Sequence, residues 1–313
     1  MPSWQRTLAR PAELAGVGLH SGVRVHLRLH PADANTGVVF RLAATGAEVR
    51  AHVSYADATR SRLCTQLGAV STVEHLMAAL AAARVTNAFV DVSGGSELPI
   101  LDGSSLPFAD AVDVAGVHEL VGDAQRALRV ERPVQALLGD KAAWLLPLPR
   151  MLGAAPVAVP TLHARVQVNF AHKGLGTTER SFTLGADADA NRAAFRAEIA
   201  PARTFTFEDE IAQLRSLGLA RGGSLANAVV FRDPAALDPA APVSARVMNA
   251  EGLRFPRDEW TRHKLLDCVG DLALAGLPLH GFFFATSPGH ALTHALLRTL
   301  LSDPANFSEV EIM

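Results

Sequence analysis

The sequence predicts an α+β chain in which one helix-then-strand plan occurs twice. Three observations carry that prediction. Val23, Val25, Leu27 and Leu29 alternate with Arg24, His26 and Arg28, the period of a half-buried strand. Residues 71–83 have the length and apolar spacing of a helix and lead past Asn87 into the extended run Ala88-Phe89-Val90-Asp91-Val92. Residues 258–285 follow the same plan, with a polar start, a helix, a turn at Gly276 and the apolar strand Phe282-Phe283-Phe284-Ala285, although no strict repeat is visible.

The elements follow in order along the chain. Residues 14–42 read as strands, interrupted at Pro31 and the Asp33-Ala34-Asn35-Thr36-Gly37 turn and resuming at Val38-Val39-Phe40. Ser71 is placed to cap the helix of 71–83, and Ser93-Gly94-Gly95 turns the strand after it. Around 115–128 the text becomes polar and mixed, and a boundary there divides the chain into domains 1–124 and 125–313. Residues 128–184 are strand-rich, most clearly at Val166–Phe170. A helix is expected over 207–217, ending near Gly218, and a loop rich in Ala, Pro and Asp over 233–243. A long helix is expected over 258–275, and a last one from about 290 to 301.

Composition narrows the function classes. The 313 residues are 49% hydrophobic and 19% charged, enough to build a sizeable core. The net charge of −2, with no basic stripe interleaved with aromatics, excludes a nucleic-acid coat. Cys64 and Cys268 are the only cysteines; they frame no disulfide scaffold and no zinc ribbon, and read as buried thiols. The N-terminus lacks the apolar core of a signal peptide, and no run approaches the ~18 apolar residues of a spanning helix. The expected location is the cytoplasm, without stable membrane insertion.

Four places carry residues suited to chemistry. On a helical wheel of 71–83, Val73, Leu76, Met77 and Leu80 form a core face. Glu74 and His75 lie opposite, among Ala78, Ala79, Ala81 and Ala82. A solvated face would carry Lys, Glu or Gln, so the alanines imply that something packs closely. The competing reading is a capping box, Ser71-Thr72-Val73-Glu74, in which Glu74 merely reaches back to the helix start. In the helix of 258–275, His263, Asp267 and Asp271 share a stripe with Trp260, Gly270 and Leu274, opposite Leu265, Leu266, Val269, Leu272 and Ala273. That stripe is either a solvated salt-bridge face with Lys264 as partner or a metal site, because a partly buried His with two carboxylates needs a counter-charge. His290 opens the last helix, and His294 one turn on makes a rival ligand pair with it. Finally, Thr204 offers a hydroxyl in Ala202-Arg203-Thr204-Phe205, and Gly222-Gly223-Ser224 allows close backbone approach to a ligand.

Taken together, these segments are far more specific. Ser71-Thr72-Val73-Glu74-His75-Leu76-Met77-Ala78-Ala79-Leu80 resembles the signature of the UDP-3-O-acyl-N-acetylglucosamine deacetylase family. So do Gly16–Gly22, Pro31-Ala32 with Asn35-Thr36-Gly37, and Pro99-Ile100-Leu101-Asp102-Gly103-Ser104. Ala202–Phe205, Gly222–Leu225, Gly252–Phe255, Arg262–Asp267 and Gly289–Leu292 look like the family too, in the family's order. The resemblance implies two similar domains, each a layer of helices on a sheet, with the active site between them. It implies a zinc-dependent amide hydrolase that removes the acetyl group of UDP-3-O-acyl-N-acetylglucosamine, the committed step of lipid A synthesis.

The resemblance also implies roles. His75, His263 and Asp267 match the zinc ligands, Glu74 the general base, and His290 the general acid with Asp271 as its partner. Thr204 matches a hydroxyl that helps hold the reacting carbonyl oxygen. Phe205, Lys264 and Gly223 match substrate contacts, and Ile211, Leu214 and Val230 are candidates for an apolar acyl passage. Two His and one Asp leave a fourth zinc position open, as catalytic sites do. Iron(II) accepts the same donors. The implied partner is a small amphiphilic UDP-sugar, and the protein is expected to act as a monomer. Residues 131–165 and 233–250, and a short loop before Ser71, depart from the family pattern. Lys141 and Arg150 are the basic residues considered for the substrate diphosphate. The alternative activity is zinc-dependent hydrolysis of a different N-acylated sugar nucleotide.

Overall fold

The computed structural model describes residues 3–57, 61, 63–148, 161–185, 187–233, 235 and 242–312. Arg150 and parts of 131–165 and 233–250 lie outside them. Among the described residues six α-helices accompany several sheets in a mixed α and β fold. The helices are α1 (Glu74–Ala82), α2 (Leu106–Ala115), α3 (Ala188–Glu198), α4 (Glu208–Ser216), α5 (Glu259–Leu272) and α6 (His290–Ser302).

A five-stranded sheet runs in the order Ala12–Val17, Arg24–Pro31, Ala88–Ser93, Val38–Leu42, Glu48–Arg50. Its pairs are antiparallel except for Val38–Leu42 beside Ala88–Ser93. Val25, Leu27 and Leu29 are buried and Arg24, His26 and Arg28 exposed, as the period of two requires. Val23 stands outside this alternation. The strand begins at Arg24, and Val23 is 46% exposed in the preceding turn.

A seven-stranded sheet draws every strand from residues 126–311. At its centre, Leu279–Thr286 pairs antiparallel with Lys141–Leu146 and parallel with Leu162–Phe170 and Arg126–Val130. Separately, Trp4–Leu8 pairs with Val117–Ala124, and Phe205–Phe207 runs parallel to Val229–Phe231.

Packing of helix on helix positions the site. Helix α1 packs against α5, and α5 against α6. The alanine face of α1 is buried along with its Val73-Leu76-Met77-Leu80 face, so this helix meets protein on nearly every side. Gly270 of α5 makes the approach possible: a Cβ there would lie 2.0 Å from the Glu74 carbonyl oxygen. One apolar cluster draws buried residues from both sheets and from helices α1, α2, α3, α5 and α6. A smaller one gathers Val168, Leu175, Phe207, Val229, Phe231, Val247 and Trp260 around the short parallel pair.

Several boundaries differ from the sequence reading. Ser71 does not cap α1. It lies in the short strand Val70–Ser71, Thr72 takes a left-handed φ of 58°, and the helix starts at Glu74 without a side-chain cap. Helices α2 and α3 had no counterpart in the reading. Helix α3 is started by the Asp187 side chain, which accepts from the Asp189 and Ala190 N–H groups. Helix α5 tightens into a 3-10 turn at Ala273–Ala275 and stops at Gly276, where φ is 87°.

Candidate active site

The first turn of α1 and the middle of α5 bring His75, His263 and Asp267 together. One ligand atom from each lies within 4.8 Å of the others, and all three residues are buried. This is the metal-capable group among the described residues. The donor chemistry tests whether a cation fits. His263 Nδ1 is 3.0 Å from the Ala202 carbonyl oxygen, which can only accept, so the ring proton sits on Nδ1. The Nε2 lone pair then faces Asp267 Oδ1 at 3.4 Å, with His75 Nε2 3.7 Å from the same oxygen. A lone pair turned toward an anionic oxygen is the arrangement that a cation between them would stabilise. Burial, helped by the neighbouring His263, drives the His75 pKa down to about 3, and burial also lowers that of His263. For Asp267 burial opposes the charge, but His263 and Lys264 outweigh it and hold the carboxyl down at about 2. At neutral pH the three are therefore two neutral imidazoles and one carboxylate, ready to bind a divalent ion.

Lys264 lies at this edge. Its Nζ donates to Asp267 Oδ2 at 3.1 Å and sits 5.6 Å from the centre of the Phe205 ring. The salt-bridge pairing considered from the sequence thus exists, but on a buried face rather than a solvated one. Phe205 meets the His263 ring edge-on, with centroids 6.3 Å apart. The segment carrying Thr204 is fixed beside α5. The Thr204 N–H donates to the Gly103 carbonyl at 2.7 Å, and buried Arg203 is locked to buried Glu259.

On the other flank stand Glu74 and His290. Glu74 Oε2 accepts from the Thr65 N–H at 3.1 Å, so the carboxylate does not turn back to cap its helix. Glu74 Oε1 lies 3.7 Å from His290 Nε2. The other ring nitrogen, His290 Nδ1, is 2.8 Å from Asp271 Oδ2. Burial disfavours the charged form of His290, but Asp271 and Glu74 together outweigh it and raise its pKa to about 9. Burial raises Glu74 to about 8 against the pull of His290. His294, the rival ligand partner of His290, instead points its Nε2 at Asp271 Oδ1, 3.4 Å away.

The remaining candidates lie on a looser unit. Ile211 and Leu214 are half-buried on α4, a helix with no buried residue, whereas Val230 is buried in the strand Val229–Phe231. Helix α4 packs on the strand Phe205–Phe207, which pairs with Val229–Phe231 and so joins the three into one unit. In the 222–223 pair, Gly222 makes the close approach: its N–H donates to the Leu19 carbonyl, and a Cβ would lie 2.2 Å from the Gly18 oxygen. Lys141 is exposed at a hairpin.

Two residues near the site were not singled out from the sequence. Thr65 bonds to both flanking acids. Glu97 is buried and accepts from the His20 and Ser21 N–H groups and the Thr72 hydroxyl. Neither has periodicity or spacing that marks it; each is a lone polar residue whose partners are distant in sequence.

Known proteins resemble this chain over nearly its whole length. The LpxC family model, UDP-3-O-acyl N-acetylglycosamine deacetylase, matches residues 5–302. A UDP-3-O-acyl-N-acetylglucosamine deacetylase of Geobacter sp. (strain M21) is 39% identical, over 98% of this chain and 92% of its own. That of Phenylobacterium zucineum is 39% identical over 96% and 94%, and that of Brucella melitensis biotype 2 is 38% identical over 99% and 100%. The family match spans residues 5–302 and these relatives cover 96–99% of the chain, and on that ground the chain belongs to the UDP-3-O-acyl-N-acetylglucosamine deacetylase family.

Proposed function

We propose that this protein hydrolyses the N-acetyl group of UDP-3-O-acyl-N-acetylglucosamine in a zinc-dependent reaction that releases acetate, the committed step of lipid A synthesis. The observation that carries the reading is the meeting of a buried His75-His263-Asp267 donor set with Glu74 and His290 on its flank. His75, His263 and Asp267 would hold the ion. A zinc ion bound there supplies a Lewis acid that polarises the amide carbonyl and favours the ionised forms of water and Glu74.

The chain's own residues do the rest. Glu74, held by the Thr65 N–H, takes a proton from the attacking water. Thr204 donates to the oxyanion that forms as the carbonyl carbon becomes tetrahedral. His290, kept protonated by Asp271, gives its proton to the departing amine, which leaves poorly as an anion. Phe205, Lys264 and Gly223 contact the substrate, and Ile211, Leu214 and Val230 line the acyl passage. The chain would act as a cytoplasmic monomer of two domains, 1–124 and 125–313. The separate sheets of the two halves and the supply of all three donors by one chain support that organisation. Among the described residues no helix is long and apolar enough to cross a membrane, which fits an enzyme that meets its amphiphilic substrate without inserting.

The test is acetate release from UDP-3-O-acyl-N-acetylglucosamine by zinc-loaded protein, wild type against Glu74→Gln. Loss of the base is expected to slow kcat by about 10²-fold or more. Zinc-loaded wild type that releases no acetate would overturn the substrate; an undiminished variant would overturn the role of Glu74.

A further inference from the structure

The acid and base of the proposed reaction stand on different helices: Glu74 on α1, His290 on α6, and its partner Asp271 on α5. Thr65 bonds to groups on all three. Its N–H donates to Glu74 Oε2 at 3.1 Å. Its hydroxyl donates to Asp271 Oδ1 at 2.5 Å. His290 Nδ1 and His294 Nε2 lie 3.3 and 3.2 Å from the same hydroxyl oxygen. Thr65 is completely buried, and its carbonyl accepts from the Thr72 N–H at 2.9 Å, so its position is fixed from both sides.

With Asp271 ionised, the contacts assign the donors around it. Ionised Asp271 can only accept. Its Oδ2 takes the His290 Nδ1–H, and its Oδ1 takes the single proton of the Thr65 hydroxyl. His294 Nε2 stands between that hydroxyl oxygen, at 3.2 Å, and Asp271 Oδ1, at 3.4 Å. The buried His294 Nδ1 has no hydrogen-bond partner among the described residues. Both Asp271 oxygens are occupied, so the His290 ring has one orientation, with Nε2 turned toward Glu74.

We infer that Thr65 is a positioning residue for the proposed deacetylation: it holds the base Glu74 through its backbone and orients the acid His290 through Asp271, with His294 bracing its hydroxyl. The inference rests on the deacetylase reading, but the bonds it uses do not. In buried polar networks of this kind, loss of an outer partner typically reduces activity about 10–100-fold.

Thr65→Val removes the hydroxyl while keeping the shape and the N–H to Glu74. On zinc-loaded protein it is expected to lower kcat by about 10–100-fold with KM changed less than about 3-fold, and Thr65→Ser is expected to restore most of the rate. In an Asp271→Asn background the Thr65→Val change should subtract less than about 3-fold more, because it acts through Asp271. A second readout does not need turnover. In ¹⁵N-histidine spectra the down-field His290 Nδ1–H signal should be present in wild type and Thr65→Ser and shifted or broadened in Thr65→Val. An unchanged kcat, failure of serine to rescue, full additivity with Asp271→Asn, or an unmoved imidazole signal overturns the inference. Wild-type protein that releases no acetate overturns the deacetylase reading instead, and the imidazole signal then decides on Thr65 alone.

Discussion

Helices α5 and α4 both supply candidate site residues, and they are built in opposite ways. Along α5, His263, Asp267 and Asp271 are buried, each held to a named partner, with Gly270 pressed against the backbone of α1. Helix α4 buries no residue, and it presents Ile211 and Leu214 half-covered, with Leu217 66% exposed just beyond its end. The candidate donor atoms sit on packed helices, whereas the surface proposed for the acyl chain sits where few contacts resist movement. If that contrast holds, equal chemical insults to the two helices should have unequal results.

The largest effect is expected from Gly270→Ala. The added methyl must displace the Glu74 carbonyl, so α1 and α5 move apart. Stability should fall by about 1–3 kcal/mol or more, as overpacking does, and bound zinc should drop with it. Thermal melting with and without chelator, together with metal analysis, measures both. A variant that melts and loads zinc like the wild type would show the interface to be compliant.

A smaller effect is expected from Asp271→Asn. His290 is raised from 6.5 to about 9, so it stays protonated through neutral pH and loses its proton as pH climbs through about 9. The rate should fall on that alkaline side. The stability contributed by this charge is complete below about 6.5 and lost across the same climb. Removing the Asp271 charge should draw the alkaline limb toward neutrality. A pH–rate profile whose limb stays put would mean that another group sets it.

The smallest effects belong to α4. Leu214→Ala and Ile211→Ala should alter stability by no more than about 0.5 kcal/mol, as half-exposed positions do. If these residues touch the acyl chain, KM for a long-chain substrate should rise several-fold while kcat stays within about 3-fold. A collapse of kcat instead would place α4 in the chemistry and erase the contrast with α5.

The same contrast explains what could be read from the amino-acid order. Helices α5 and α6 announced themselves through spacing and through Gly276, and Gly218 marked the end of α4. The His75-His263-Asp267 set could be read only through the family resemblance: spacing alone left His263 and Asp267 as a salt-bridge face or a metal site, and Glu74-His75 as a capping box or a site. Other features were hidden for physical reasons. The capping box at Ser71 is a local pattern overruled by strand pairing with Gln66 and by the left-handed turn at Thr72. Helix α1 has little amphipathic contrast because it is buried on nearly every side. Thr65 is invisible in one dimension: its partners at 74, 271, 290 and 294 come near only after the helices have packed.

The split of the donor set between α1 and α5 has a consequence for how the molecule is put together. His75 comes from the part of the chain that builds the five-stranded sheet, and His263 and Asp267 from the part that builds the seven-stranded one. Neither part supplies all three of these residues by itself. If the proposed ion binds there, its affinity is a property of the assembled chain, and its binding energy adds to the packing of α1 on α5. Scarcity of the ion would be felt as a loosened joint before it was felt as a missing reagent.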